Sequence, residues 1–365
     1  MDKVKAVMVG CGGIAFGKHL PKAEESKLVD FVGFCDIVPE RAEKARAQYG
    51  AEGAVTAGSL TQLLTHKDIG KSIEAVYVCT PNRSHSALTV EALEAGCHVL
   101  CEKPMAINAA EAKKMLEAAE KSGKLLSVGY QNRYRREYMF AKDMAQSGEL
   151  GDIYFARAKA VRRRAVPTWG VFLNEREQGG GPLIDIGTHA LDLVLWVMDN
   201  YKPKYAVGTA YHKLNGQTFT GNAWGDWDTV KFTAEDSAFG FIVMENGATV
   251  TLEASWALND RFPQEAVFTM SGTKAGIDFT GGVFVNDIRA GRQAVTEVAV
   301  SGRGVDFYEG DTGASPDLAE QKTFLRAVRG EGELVVKPEQ AYAVTLILDA
   351  IYKSAAEGKP VFFDQ

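Results

Sequence analysis

Short apolar runs alternate with amphipathic stretches over the first third of the chain. Residues 4–10 (VKAVMVG) precede a helical stretch to about Lys27, and residues 30–36 (DFVGFCD) precede PERAEKARAQYG. A weaker unit lies around residues 53–66. Residues 74–80 (EAVYVCT) then lead into SHSALTVEALEAG, residues 97–103 (CHVLCEK) into NAAEAKKMLEAAEKSG, and residues 124–130 (KLLSVGY) follow. Strand-length runs alternating with helices of about 12 residues predict crossover units and a parallel sheet covered on both faces. Residues 1–130 are expected to form a doubly wound α/β domain.

The texture changes after residue 130. A helical stretch, RYRREYMFAKDMAQSGELG, is followed by IYFARAKAVRR, which alternates like a half-exposed strand. A loop containing Trp169 and the run Gly179-Gly180-Gly181 opens onto PLIDIGTHALDLVLWVMD, an apolar helix with proline in its first turn. Between residues 204 and 300, runs such as YAVGTAYHKL and AFGFIVMENGATVTLEASW predict a large, mostly antiparallel open sheet. Two helices, near residues 316–329 and 338–357, close the chain. Residues 131–365 read as an α+β domain with helices on one face of its sheet.

At 365 residues, with 46% apolar and 24% charged residues, the chain is large enough for two real cores and lies in the ordinary globular range. Its 41 basic and 47 acidic residues leave a formal charge of -6, which offers no global field for nucleic acid and points to a small-molecule partner. Cys11, Cys35, Cys79, Cys97 and Cys101 sit in apolar runs and read as reduced packing residues of a cytoplasmic protein. Cys97, His98 and Cys101 resemble a metal cluster, yet strand alternation turns His98 away from the two thiols, so no metal is expected. No run approaches the length of a membrane helix.

Four motifs carry chemistry. Gly10-Cys11-Gly12-Gly13-Ile14-Ala15 follows the first strand and opens a helix, in the G-x-G-x-x-G/A pattern. Gly10 permits the tight turn, Gly12 lets the backbone approach a pyrophosphate, and small Ala15 lets helix and strand pack closely. Asp36 ends the second strand, 21 residues after Ala15, where a carboxylate accepts ribose hydroxyls and repels a 2'-phosphate. NAD is expected as cofactor; Arg41 nearby leaves NADP open, and Ile37 adjoins the carboxylate. Thr80-Pro81-Asn82 with His85 closes the fourth strand, and Glu102-Lys103-Pro104 the fifth. Strand carboxyl ends are where a doubly wound sheet binds ligands, although a lysine there also suits a solvated surface. Finally, Asp185, His189 and Asp192 form a polar stripe on the apolar helix, either a reactive group or carboxylates orienting a core histidine.

In this order and spacing, the glycine turn, TPN-x-x-H, EKP and D-x-G-x-H-x-x-D resemble the glucose-fructose oxidoreductase / inositol dehydrogenase (Gfo/Idh/MocA) family over essentially the whole chain. The resemblance implies an N-terminal Rossmann domain and a C-terminal α/β domain whose open sheet makes an oligomer interface. It also implies a nicotinamide-dependent oxidoreductase acting on sugars, polyols or relatives. The family's catalytic lysine maps onto Lys103, its aspartate onto Asp185 and its histidine onto His189.

His189 suits the role of base because its ordinary pKa, about 6.5, lies near working pH. Lys103 would then steady charge on the substrate oxygen, with Asp185 orienting the pair; Lys103 as base is the reverse assignment. Substrate contacts are expected from Trp169, from the stretch Tyr130–Tyr134 including Arg133, and from one arginine among Arg162, Arg163 and Arg164, with Arg163 a candidate. A sugar or polyol dehydrogenase leads. A sugar-acid or phosphosugar dehydrogenase, an NAD-assisted glycosidase and a non-catalytic cofactor-binding regulator stand as alternatives. A homodimer or homotetramer through the 204–300 region is expected.

Overall fold

A computed structural model describes residues 3–300 and 315–363. The chain divides into two compact units, Met1–Tyr134 with Ala314–Tyr342, and Arg135–Gly313 with Ala343–Gln365.

The first unit is built on β1 (Val4–Val9), β2 (Val29–Cys35), β3 (Gly50–Ala57), β4 (Ala75–Val78), β5 (His98–Cys101) and β6 (Leu126–Val128). They form a parallel sheet in the order β3-β2-β1-β4-β5-β6, the order of a dinucleotide-binding fold with its reversal beside β1. β1 is buried everywhere except Lys5, because a central parallel strand has helices on both faces. The weak third unit forms β3 and a short helix, Leu60–Leu64.

The division departs from a boundary at residue 130. Residues 314–342 belong with the first unit because helix Pro316–Val328 carries Phe324 and Leu325 into the same core as Met8, Phe34, Tyr77 and Leu100. The Phe324 ring meets Tyr77 edge-on at 5.8 Å. Local periodicity identifies such a helix but not the sheet it covers.

The second unit contains β7 (Ile153–Val161), β8 (Pro203–Tyr211), β9 (Ser237–Met244), β10 (Thr249–Ser255), β11 (Val267–Gly272), β12 (Gly276–Asp278), β13 (Phe284–Arg289), β14 (Arg292–Glu297) and β15 (Val361–Phe362). The sheet order is β14-β13-β12-β11-β7-β10-β9-β8-β15, and among its paired strands only β7 and β10 run parallel. Strand alternation separates its faces. The row Gly208, Gly240, Leu252, Ala158, Phe268 turns toward the helices, with Ile351 against both glycines. The adjacent row Val207, Phe241, Thr251, Arg157, Thr269 is at least partly exposed throughout.

One helical run of this unit, Glu175–Met198, is long and apolar enough to span a membrane by composition, contrary to the sequence reading. Its most apolar window is 94% buried within the fold, as expected of a core helix.

Candidate active site

In the first unit, the sequence-assigned cofactor residues gather at the carboxyl ends of β1, β2, β4 and β5. Gly10 has φ +88°, and a Cβ there would lie 2.5 Å from the Cys79 carbonyl oxygen, so only glycine lets the loops after β1 and β4 come this close. A Cβ on Gly12 or Gly13 would meet nothing within 4 Å. Their backbone faces open space, which suits a pyrophosphate cradle. Ala15 is fully buried, as close helix packing requires, while Ile14 is exposed.

The Asp36 carboxylate accepts from the Cys11 N–H at 2.8 Å and, through its other oxygen, from the Val38 N–H at 2.8 Å. It therefore shapes the glycine loop, and each oxygen keeps a lone pair for a ribose hydroxyl. Ile37 beside it is 91% exposed and Arg41 is also exposed. Thr80, Pro81 and Asn82 line the next loop with at least partial exposure, and Ser84 donates to the Thr80 hydroxyl at 2.7 Å. These residues fit NAD.

The His85 and Glu102 side chains are engaged within the protein. His85 is buried, with Nδ1 2.8 Å from the Pro104 carbonyl and Nε2 2.9 Å from that of Thr80, so it ties the two strand-end turns together. Burial depresses its basicity although both carbonyls favour a protonated ring. Glu102 is also buried; its Oε2 accepts from the Lys103 N–H at 3.0 Å, fixing the backbone of the lysine. Its Oε1 meets Lys18 Nζ at 2.9 Å and His19 Nε2 at 2.6 Å. Lys18 also pairs with Glu320 at 2.9 Å. Burial opposes charge on Lys18, but Glu102 and Glu320 outweigh it and hold its pKa above the usual lysine range. Burial likewise opposes the Glu102 anion, and Lys18 and His19 overcome it, holding the carboxyl well below its usual range. Lys103 itself is half-buried.

In the second unit, Asp185, His189 and Asp192 lie on the core helix, 9%, 7% and 1% exposed. Residues Leu183–Gly187 form a π-helical turn before the α-helix Thr188–Met198, so a uniform α-helical stripe does not run through Asp185. Such a wide turn commonly marks a functional site. Trp256 Nε1 donates to Asp185 Oδ2 at 2.9 Å, fixing the carboxylate. The start of the helix is held by Glu235, which accepts from the N–H groups of Gly181 at 2.6 Å and Leu183 at 3.1 Å and from the Tyr352 hydroxyl at 2.8 Å. A Cβ on Gly181 would lie 2.1 Å from the Glu235 carbonyl, which explains the glycine run. Burial pushes the Glu235 carboxyl up to about 7 despite those three donors.

The structure redistributes the substrate candidates. Tyr130 and Arg133 are buried in the first unit, and Arg133 Nη1 donates to the Val335 carbonyl at 3.0 Å and Gln340 at 2.6 Å. Arg133, expected as a substrate contact, instead anchors the returning segment. Arg162 forms a two-pronged pair with Glu265 at 2.5 and 2.6 Å, and Arg164 donates to Gln217 at 3.3 Å. Arg163 is exposed and has no ion pair or side-chain hydrogen bond among the described residues. Trp169 is half-exposed against Trp224, a residue that sequence reasoning missed because its loop lies 55 residues downstream without a motif.

Comparison with known proteins decides the family. The oxidoreductase family with NAD-binding Rossmann fold (GFO_IDH_MocA) matches residues 4–130, and the GFO/IDH/MocA C-terminal domain matches residues 138–278. The chain belongs to the GFO/IDH/MocA family. Among its relatives, D-glucoside 3-dehydrogenase of Escherichia coli is 32% identical over 360 residues, covering 98% of this chain and 97% of that protein. Inositol 2-dehydrogenase of Salmonella typhimurium is 30% identical over 54% of this chain and 56% of its own. The structure of levoglucosan dehydrogenase in complex with NADH and levoglucosan shares the fold, with a TM-score of 0.80 and 21% identity over all of both chains. This GFO/IDH/MocA protein is an NAD-binding oxidoreductase whose relatives are sugar and polyol dehydrogenases.

Proposed function

We propose that the protein is an NAD-dependent dehydrogenase of neutral glucosides, oxidising a secondary hydroxyl to a ketone. The observation that carries this reading is similarity across 98% of the chain to a D-glucoside 3-dehydrogenase, with Lys103, Asp185 and His189 all present. NAD, when bound, supplies the hydride acceptor. The chain's own residues handle the proton. His189 takes it from the carbinol hydroxyl, Lys103 hydrogen-bonds the same oxygen as negative charge develops, and Asp185, held by Trp256, orients the histidine.

Similarity to a glucoside dehydrogenase favours a neutral substrate over a sugar acid or phosphosugar. The Arg162 charge is already balanced by Glu265, and Arg164 is hydrogen-bonded to Gln217. Arg163 is left to contact sugar hydroxyls. The test is an absorbance assay of nicotinamide reduction with glucosides, inositols, sugar acids and phosphosugars, using NAD and NADP. Reduction with neutral glucosides, at higher kcat/KM for NAD than NADP, is expected from Asp36. Turnover confined to anionic sugars, or none with any sugar, overturns the reading.

The protein is also proposed to be a homodimer or homotetramer associating through the open sheet face, where Val207 and Phe241 adjoin in register and Phe241 is 44% exposed. Light scattering at micromolar concentration is expected to give two or four subunits; a monomer counts against it.

A further inference from the structure

We propose that Trp169 and Trp224 form a subsite for the second ring of a glycoside, making the protein selective for a sugar joined to another ring over a glycoside that lacks one. The proposal rests on the glucoside dehydrogenase reading above and names the part of the substrate that the reading leaves open.

The two indoles meet at 4.8 Å between centroids with their planes at 78°, forming a corner. Trp169 is 51% and Trp224 44% exposed, so much of two large rings remains in water. Phe172 backs Trp169 at 5.9 Å, and the Arg162 guanidinium lies over Trp224 at 5.4 Å from its centroid.

Hydrogen bonds between two loops fix this corner. Asn222 accepts from the Val166 N–H at 2.8 Å and donates to the Val166 carbonyl at 3.0 Å. The Ala223 N–H donates to the Arg164 carbonyl at 2.8 Å, and the Thr168 hydroxyl to the Trp224 carbonyl at 2.8 Å. The rings are therefore held in place before any ligand arrives, which lowers the ordering cost of binding.

The same loops connect to the catalytic helix. The Ala165 N–H donates to the Trp256 carbonyl at 2.8 Å, and the Trp256 indole holds Asp185. Arg162 also feels the Asp185 charge, so one side chain relates the carboxylate to the aromatic corner. The reacting carbinol must reach Asp185 and His189, both nearly enclosed, whereas the indoles stand largely in solvent. A substituent projecting from the reacting ring suits that exposed corner. The C–H faces of a sugar or phenyl ring pack on indole, and the Arg162 guanidinium over Trp224 is itself paired with Glu265.

The experiment compares Trp224→Ala and Trp224→Phe with wild type on cellobiose, phenyl glucoside and methyl glucoside, measuring kcat/KM and tryptophan fluorescence on titration. Wild type is expected to favour two-ring ligands over methyl glucoside by about tenfold. That preference corresponds to about 1.4 kcal/mol, or on the order of 60 Å² of apolar surface removed from water. Trp224→Ala is expected to bring the ratio close to one, and Trp224→Phe to retain much of it. Equal losses on all ligands, or no two-ring preference in wild type, overturns the subsite. Two-ring fluorescence quenching that requires Trp224, without turnover of any sugar, supports the subsite while refuting the dehydrogenase reading.

Discussion

Lys103→Ala and His189→Ala are each expected to lower kcat by about 10²-fold or more, the usual effect of losing a positioned acid or base. Cofactor binding should persist in both variants, because the open glycine backbone and the Asp36 carboxylate that suit a dinucleotide remain intact. The double variant should lose much less than the product of the single losses, since residues serving one proton transfer are strongly non-additive. Steady-state kinetics on a glucoside, with cofactor titration followed by fluorescence, checks all three statements. Multiplicative losses mean that the residues work independently, and near-wild-type turnover in both single variants returns Asp185 and His189 to a structural polar cluster.

Lys18→Met is expected to destabilise the first unit by about 3–5 kcal/mol, because it leaves two buried carboxylates without their shared cation. The pH dependence identifies the cause. In wild type, the depressed pKa of Glu102 contributes stability above the unfolded carboxylate pKa, and that contribution is lost as pH falls through the folded value. Lys18, with its raised pKa, contributes below its unfolded value and loses that contribution only as pH rises through its folded value. Removing Lys18 should therefore cost most near neutrality and progressively less in acid, where protonation relieves the paired carboxylates. Adding Glu320→Gln should restore part of the loss. Denaturant unfolding of the variants at several pH values checks this, and a pH-independent deficit would mean that packing around residue 18 is responsible.

Local periodicity and short spacing are readable along the chain before it folds. Apolar runs alternating with helices specified the doubly wound sheet, and Gly10 to Ala15 with Asp36 specified a dinucleotide loop whose open backbone fits that role. Alternation between residues 204 and 300 specified a mostly antiparallel sheet, and the order of the motifs located the family. Pairings between residues distant along the chain depend on the folded arrangement. Helix Pro316–Val328 was visible as a helix, but its place in the first unit depends on Phe324 and Leu325 entering a core centred some 300 residues earlier. Arg133, His85 and Glu102 looked like ligand contacts because they are polar residues near strand ends. Folding supplied Val335 and Gln340 for Arg133, two carbonyls for His85, and Lys18 with His19 for Glu102. Trp224 has no motif around it, and its meeting with Trp169 depends on hydrogen bonds between two loops. Hydrophobic period is a property of neighbouring residues, whereas burial and hydrogen-bond satisfaction belong to whichever groups the fold brings together.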